Sequence, residues 1–366
     1  MTTALKTTKR IQAIDVMRGI TMAWMILVNN PGSRNVFAPL RHAAWNGLTP
    51  TDLAFPFFMF IMGVSMCFSL RKYEGNRKAA NIKIFRRAVL IYVIGLALGC
   101  VGKLINGTFT FEGIRILGVL QRLAIVYLFG ALLYQYVPKK WHLPLAAVIL
   151  VVYITILQCF GGYVHSPENI AARIDVRLLG ASHIIGENGE GGRFPFEPEG
   201  ILSTLPCLAH ILFGAFVGRL IMNTEDDREK VRRIAVFGAV LLFAGFLLQW
   251  LDPINKKLWT STFVLVTCGS ASLLLALLLE LLDVNGKGRG LDFFKVFGTN
   301  ALFAYILSSL MGIPLGRLGI HDFLMRSVLE PAFGLKGGAL AYSLLYILLI
   351  WIILYPLYKK KIYIRL

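Results

Sequence analysis

The chain has 366 residues, 56% of them hydrophobic and only 16% charged, against roughly 25% charged in an ordinary soluble protein. A mean hydropathy of +0.66, with the apolar residues gathered in long blocks, excludes a water-soluble globule. The 38 Lys and Arg against 20 Asp and Glu leave a formal charge of +18, which reports topology here rather than nucleic-acid binding, because membrane proteins concentrate basic residues in their cytoplasmic loops.

The opening residues are polar and basic, with Lys6, Lys9 and Arg10. No small-residue cleavage pattern follows the next apolar stretch, so that stretch reads as a retained first span. A bilayer core of about 30 Å takes about 20 mostly apolar helical residues. On that ruler ten spans are predicted, near 13–30, 52–70, 86–104, 115–136, 142–160, 200–221, 234–251, 260–282, 296–314 and 338–357. The first and ninth contain polar positions. An N-terminus in the cytoplasm puts Arg71, Lys72, Arg77, Lys78, Lys83, Arg86 and Arg87 inside against the single Glu74. It also puts inside Lys139 and Lys140, the 228–233 region, Lys287, Arg289, Lys295 and the tail Lys359, Lys360 and Lys361. This bias supports ten spans with both termini cytoplasmic. The expected fold is an all-α polytopic membrane protein, one domain over 1–366. Its extracytoplasmic loop at about 161–199 carries Glu168, Asp175, Glu187, Glu190, Glu197 and Glu199 and is too long for a turn, so it should form a structured lid.

Cys67, Cys100, Cys159, Cys207 and Cys268 all fall in apolar blocks and outline neither a disulfide framework nor a zinc spacing. The pairs Gly95/Gly99 and Gly214/Gly218 permit close helix approach.

Strongly polar side chains inside spans are costly and mark candidate sites. Asp15 and Arg18, three apart, share a helix face as an ion pair. The span closes on Asn29 and Asn30, and Arg41-His42-Ala43-Ala44-Trp45-Asn46-Gly47-Leu48-Thr49-Pro50-Thr51-Asp52 follows. Thr49, Pro50 and Asp52 form a helix start, with Thr49 as N-cap and Asp52 reaching back. His42 with a nearby carboxylate is the usual apparatus for taking a proton from a nucleophile. The other histidines, at 142, 165, 183, 210 and 321, lack such neighbours in sequence. Gln121 and Arg122 lie in the fourth span, where an arginine needs an anion, carbonyls or water. Glu197, Glu199, the run Asn255 to Thr262, and Asn300 with Tyr305 could line the same polar cavity.

The run from His42 to Thr49, then Asp52, Phe55-Pro56 and Phe60-Ile61-Met62-Gly63, resembles the heparan-α-glucosaminide N-acetyltransferase family and its bacterial relatives. Support continues through Asp15, Arg18-Gly19, Val28-Asn29, Gly118 to Leu123, Pro198 to Leu202, Asn255-Lys256, Trp259 and Asn300. The resemblance implies a membrane enzyme that moves acetyl from acetyl-CoA to the amino group of a terminal glucosamine, with His42 as its active-site residue. It also implies that Asn29, Arg122 and the hydroxyl residues after Trp259 help hold the acetyl donor. Two departures bear on the acceptor. Lysosomal relatives carry a lumenal domain ahead of the first span, and they have a histidine where this chain has Ser308. The first departure suggests a bacterial inner-membrane protein.

The expected catalytic residues are His42, as general base or acetyl carrier, Asp52, which holds its tautomer, and Asn29. Either Asn29 or Asn46 would serve the oxyanion. Donor-binding residues are expected to be Arg122, Gln121, Lys257, Thr260, Thr262 and Asn300, with Lys256 another candidate for the CoA phosphates. Acceptor-binding residues are expected to be Trp45, Asn46, Glu197 and Glu199. The expected partners are the lipid bilayer, acetyl-CoA, an amino sugar or glycan and a second copy in a homodimer, without metal or nucleic acid. An amino-sugar transporter of the inner membrane, or an acetyltransferase acting on a hydroxyl, is the alternative.

Overall fold

The structure, a computed structural model, describes residues 11–189 and 191–364. Lys6, Lys9, Arg10 and Glu190 lie outside the described residues. Apolar blocks of this length have one way to satisfy their backbone groups in lipid, which is to coil, and a helix forms at every predicted block. In chain order the helices are α1 (Gln12–Asn29), α2 (Ala54–Arg71), α3 (Arg77–Ile105), α4 (Val119–Tyr136), α5 (His142–Cys159), α6 (Ile170–Leu179) and α7 (Ile201–Thr204). There follow α8 (Cys207–Asn223), α9 (Asp227–Leu247), α10 (Ser261–Leu278), α11 (Asp292–Thr299), α12 (Ala301–Arg317), α13 (Ile320–Phe323) and α14 (Glu330–Lys359). Among the described residues the only sheet is the hairpin of β1 (Gly186–Gly189) and β2 (Gly192–Pro195).

The protein is an all-α polytopic membrane protein. Among the described residues eight helical stretches are long and apolar enough to cross a membrane, and α11 with α12 makes a ninth if that pair counts as one span. The predicted ninth span is therefore broken, by a bend of 86° at Asn300. The first block folds as α1 but is not among those eight or nine, since Asp15 and Arg18 dilute its apolar character. They pair at 3.6 Å, and Arg18 also donates to Ser65 Oγ (2.8 Å) and the Gly298 carbonyl (3.1 Å).

Spans of similar hydropathy divide into a core and a rim. The apolar windows of α2, α8 and α10 are 72% buried, whereas those of α3, α5 and α9 are 17%, 28% and 22% buried. The rim helices leave Phe85, Val151 and Phe243 uncovered, as an outer face solvated by lipid requires. Gly214 and Gly218 lie where α8 meets α2: a Cβ on Gly214 would stand 2.2 Å from the Phe60 carbonyl oxygen, and one on Gly218 would stand 2.8 Å from that of Val64. Close backbone approach of this kind drives helix association in lipid.

Successive loops gather at two ends. At one, Gly47 N–H bonds the Ile254 carbonyl, Ile116 N–H that of His183, and Gly32 N–H that of Ala339, while Arg115 reaches Glu197. At the other, Asp283 caps α1 through the amides of Gln12 and Ala13, and Arg219 reaches the Lys139 carbonyl. The first end carries the lid, residues 161–199, whose Ala171, Ala172, Phe194 and Phe196 form a small core with Leu258, with Trp45 and the lid's own Tyr163 packed against it.

Candidate active site

At the start of α2, Thr49, Pro50 and Asp52 form the expected capping box. Asp52 Oδ2 accepts from Thr49 N (3.1 Å), Thr49 Oγ1 (2.9 Å) and Ala43 N (3.2 Å). With three donors on one oxygen, the other is left for His42 Nδ1, at 2.7 Å. The carboxylate is fully buried while the ring is 49% exposed. A carboxylate accepts only, so Nδ1 carries the hydrogen toward Asp52, and among the described residues no hydrogen bond engages Nε2. The helix cap and the imidazole contact thus share one side chain.

Residues 251–260 close over this pair. Asn255 Nδ2 donates to Asn46 Oδ1 (3.0 Å), and Lys257 Nζ donates to the Ala44 carbonyl (2.6 Å) and pairs with Glu187 (2.8 Å). Lys256 Nζ comes to 2.9 Å from His42 Nδ1 and 3.3 Å from Asp52 Oδ1. Burial pulls the Lys256 pKa below the usual lysine range, against the opposing pull of Asp52 and Glu199. Trp259, at φ 56°, has left-handed backbone that is a true outlier for a bulky side chain and costs about 1–3 kcal/mol.

Beneath lies a second cluster. Arg115 binds Glu197 through two nitrogens (2.9 and 2.5 Å) and Glu199 at 2.6 Å. Burial raises the Glu197 pKa; for Glu199, burial is outweighed by the neighbouring Arg122 and Arg115 cations, which lower it. Arg122 is fully buried, and its Nη2 donates to the Pro198 carbonyl (2.7 Å), the Gly200 carbonyl (3.3 Å) and Ser203 Oγ. Its guanidinium lies 5.1 Å from the centre of the Trp259 ring. Among the described residues, Arg122 Nε and Nη1 have no partner, and neither does the buried Tyr127 hydroxyl. Orphaned buried donors of this kind call for water or ligand.

The structure brings His42, Asp52, Asn46, Lys257, Arg122, Glu197 and Glu199 to this end. The other expected site residues have different engagements. Asn29 is exposed at the end of α1, and no hydrogen bond joins it to His42 or Asp52. Gln121 is buried against Gly95 of α3. Thr260 and Thr262 spend their hydroxyls on the loop, with Thr260 Oγ1 accepting from Asn255 N (3.0 Å) and Thr262 Oγ1 donating to the Asp252 carbonyl (2.6 Å). Asn300 binds the Ile362 carbonyl (3.0 Å) and Ile364 N (2.8 Å). Trp45 holds the lid, donating to the Tyr163 carbonyl (3.1 Å) and stacking on His165 at 4.1 Å. Sequence reasoning gave Lys256 no place beside the imidazole and gave His165 no role.

The lid is latched by Asp175, fully buried, whose Oδ1 accepts from Ile201 N (2.8 Å) and whose Oδ2 has no partner among the described residues. Burial, with the nearby Glu197 charge, pushes its pKa from 3.8 up to about 7. A carboxyl whose folded value is raised contributes stability fully present below 3.8 and lost as pH rises to about 7. Asp175→Asn keeps the acceptor and cannot ionise. Its melting temperature should gain on the wild type across that window and level off above it. A difference that stays constant from about pH 4 to about pH 9 would remove Asp175 as the source.

The model of the family described as heparan-alpha-glucosaminide N-acetyltransferase, catalytic, matches residues 10–251, which hold every residue of both clusters except those of the 252–260 loop. The heparan-alpha-glucosaminide N-acetyltransferases of Mus musculus and Homo sapiens are 26% and 27% identical to this chain over 81% of its length. The alignments cover 53% and 52% of those proteins, so the chain spans about half the length of the curated relatives it matches. With more than half of its residues inside the family model, the chain belongs to the heparan-alpha-glucosaminide N-acetyltransferase catalytic family.

Proposed function

We propose that the protein moves acetyl from acetyl-CoA to the amino group of a glucosamine-type sugar, in the inner membrane of the cell and with His42 at its outer face. The observation that carries this reading is the half-exposed imidazole held at 2.7 Å by a fully buried carboxylate. Family membership and the names of the relatives supply the reaction class. The basic loops gathered at the opposite end support a cytoplasmic placement for that end.

In the direct route the neutral amine attacks the thioester carbonyl, the carbon–sulfur bond breaks and CoA leaves as thiolate, while the amine's proton passes to His42 Nε2. In the carrier route Nε2 attacks the thioester carbonyl and the carbon–sulfur bond breaks to release CoA thiolate; the amine then attacks the acetyl carbon, the bond to Nε2 breaks, and the amine's proton passes to the freed Nε2. The carrier route suits a donor made in the cytoplasm and an acceptor met outside. Asn46 Nδ2, whose oxygen is taken by Asn255, is left to donate to the developing oxyanion. Glu199, which gives Arg115 only one of its oxygens, suits an amino sugar arriving as ammonium, whereas Glu197 has both of its oxygens on Arg115. The unpartnered Arg122 nitrogens fit an acceptor atom of the acetyl donor.

Purified full chain given radiolabelled acetyl-CoA and glucosamine should form labelled N-acetyl sugar. No product across several amino sugars would overturn the reading. So would proteoliposomes that accumulate labelled sugar without acetyl-CoA, which is what a transporter does.

A further inference from the structure

Two adjacent lysines in the 251–260 loop are sent in different directions. Lys257 fastens the loop to Ala44 and Glu187, and Lys256 is delivered to the catalytic pair. The turn that achieves this is built at a cost. Trp259 sits in left-handed backbone, and Trp259 N–H bonds the Lys256 carbonyl while Thr260 N–H bonds that of Asn255, both at 3.1 Å. The buried Asn255 accepts from Leu258 N (2.9 Å) as it donates to Asn46. A strained turn, locked on several sides and ending with an ammonium 2.9 Å from an imidazole, is more than a surface loop needs.

His42 Nδ1 has one hydrogen-bonding position and two claimants. With Asp52 at 2.7 Å the nitrogen is a donor, so an ammonium cannot bond to it and turns its hydrogens to Asp52 Oδ1, at 3.3 Å. Protonated Lys256 then sets a cation beside the buried carboxylate. Without that cation, the only group in contact able to neutralise Asp52 is the ring itself, which would take a second proton on Nε2 and cease to be a base. We propose that Lys256 is a positioning residue that supplies the counter-charge to Asp52 and so keeps His42 uncharged, with Nε2 open. Among the described residues the other charged groups bearing on this trio are Lys257 of the same loop, with its lid partner Glu187, and Glu199 from below, the last through Lys256. The inference rests on the reading of His42 as base or carrier.

The test is the pH dependence of kcat and KM for wild type, Lys256→Met, Lys256→Arg and His42→Ala, all as full chains, with acetyl-CoA and glucosamine. Lys256→Met should lose about tenfold or more in kcat near neutral pH, and the acidic limb of its profile should move up by about one unit or more, so that much of the rate returns near pH 9. KM for both substrates should stay within about threefold of wild type, since no substrate contact is removed. Lys256→Arg keeps the charge and should keep the profile, which also serves if the methionine variant folds poorly. A methionine variant with the wild-type profile would overturn the inference, as would one that only raises KM for acetyl-CoA, the mark of a phosphate contact. If His42→Ala turns over like wild type, the His42 reading falls and takes this inference with it. If His42→Ala is inactive while Lys256→Met titrates like wild type, this inference alone is lost.

Discussion

Acetyl transfer by the His42→Ala variant is expected to fall by about 10²–10⁴-fold, with the substrate KM values little changed and the melting temperature near that of wild type. Little of the fold depends on the ring. It is half exposed and sits in a loop after the short 3-10 turn Ala38–Leu40. Its removal leaves Asp52 held by Thr49 and Ala43 and paired with Lys256, so no buried charge is orphaned. The size of the residual rate separates the two routes. A general base can be replaced in part by water, leaving a measurable fraction, whereas an acetyl carrier cannot. Rapid-quench measurement of wild type without acceptor completes the comparison: a burst of CoA equal to the enzyme present marks the carrier route, and its absence marks direct transfer. A variant with more than half of the wild-type rate would remove His42 from the chemistry.

Asp52→Asn is the second large effect, through a different cause. Asparagine can still accept from the Thr49 and Ala43 amides, so the start of α2 should survive with a loss of about 1 kcal/mol, the usual scale for a weakened cap. Toward the ring it presents an N–H₂ donor where a carboxylate oxygen stood, and Lys256 is a second donor at 2.9 Å. Nδ1 becomes the acceptor, the ring hydrogen moves to Nε2, and the lone pair that should take the amine's proton disappears. A wrong tautomer in an otherwise intact site costs about 10⁴-fold in kcat in a well-studied hydrolytic triad, and a loss of about 10³–10⁴-fold is expected here. The check is kcat beside thermal stability for Asp52→Asn and Thr49→Ala. The second should lose comparable stability and retain most of the rate. Equal losses of rate in both would assign Asp52 a purely structural part.

How much of this was legible follows from separation along the chain. His42 and Asp52 lie ten residues apart and the cap three, so the pair and the helix start could both be read from one short segment. Lys256 comes to the ring from 214 residues away, and a single long-range contact leaves no periodic trace. The apolar blocks were legible because a helix in lipid announces itself by composition alone. The break at Asn300 was not, because a hydropathy average runs smoothly across Gly298, Thr299 and Asn300 while the chain turns by 86°. Thr260 and Thr262 show a different failure. Hydroxyls next to a helix start have backbone groups within reach and bond to them before any ligand is considered, and both do. Arg122 was recognisable as costly in an apolar span, but which of its nitrogens would remain unpaired depended on three carbonyl and hydroxyl acceptors near Gly200.

The junction at Asn300 bears on biosynthesis. Its side chain is satisfied by Ile362 and Ile364, which lie 62 and 64 residues further on. A ribosome delivering the chain from its amino end releases α11 and α12 well before those partners exist, so this corner must wait, open, until α14 has been threaded. The contact that satisfies Asn300 therefore forms only after the whole of α14 has been made, so this corner is among the last parts of the fold to close.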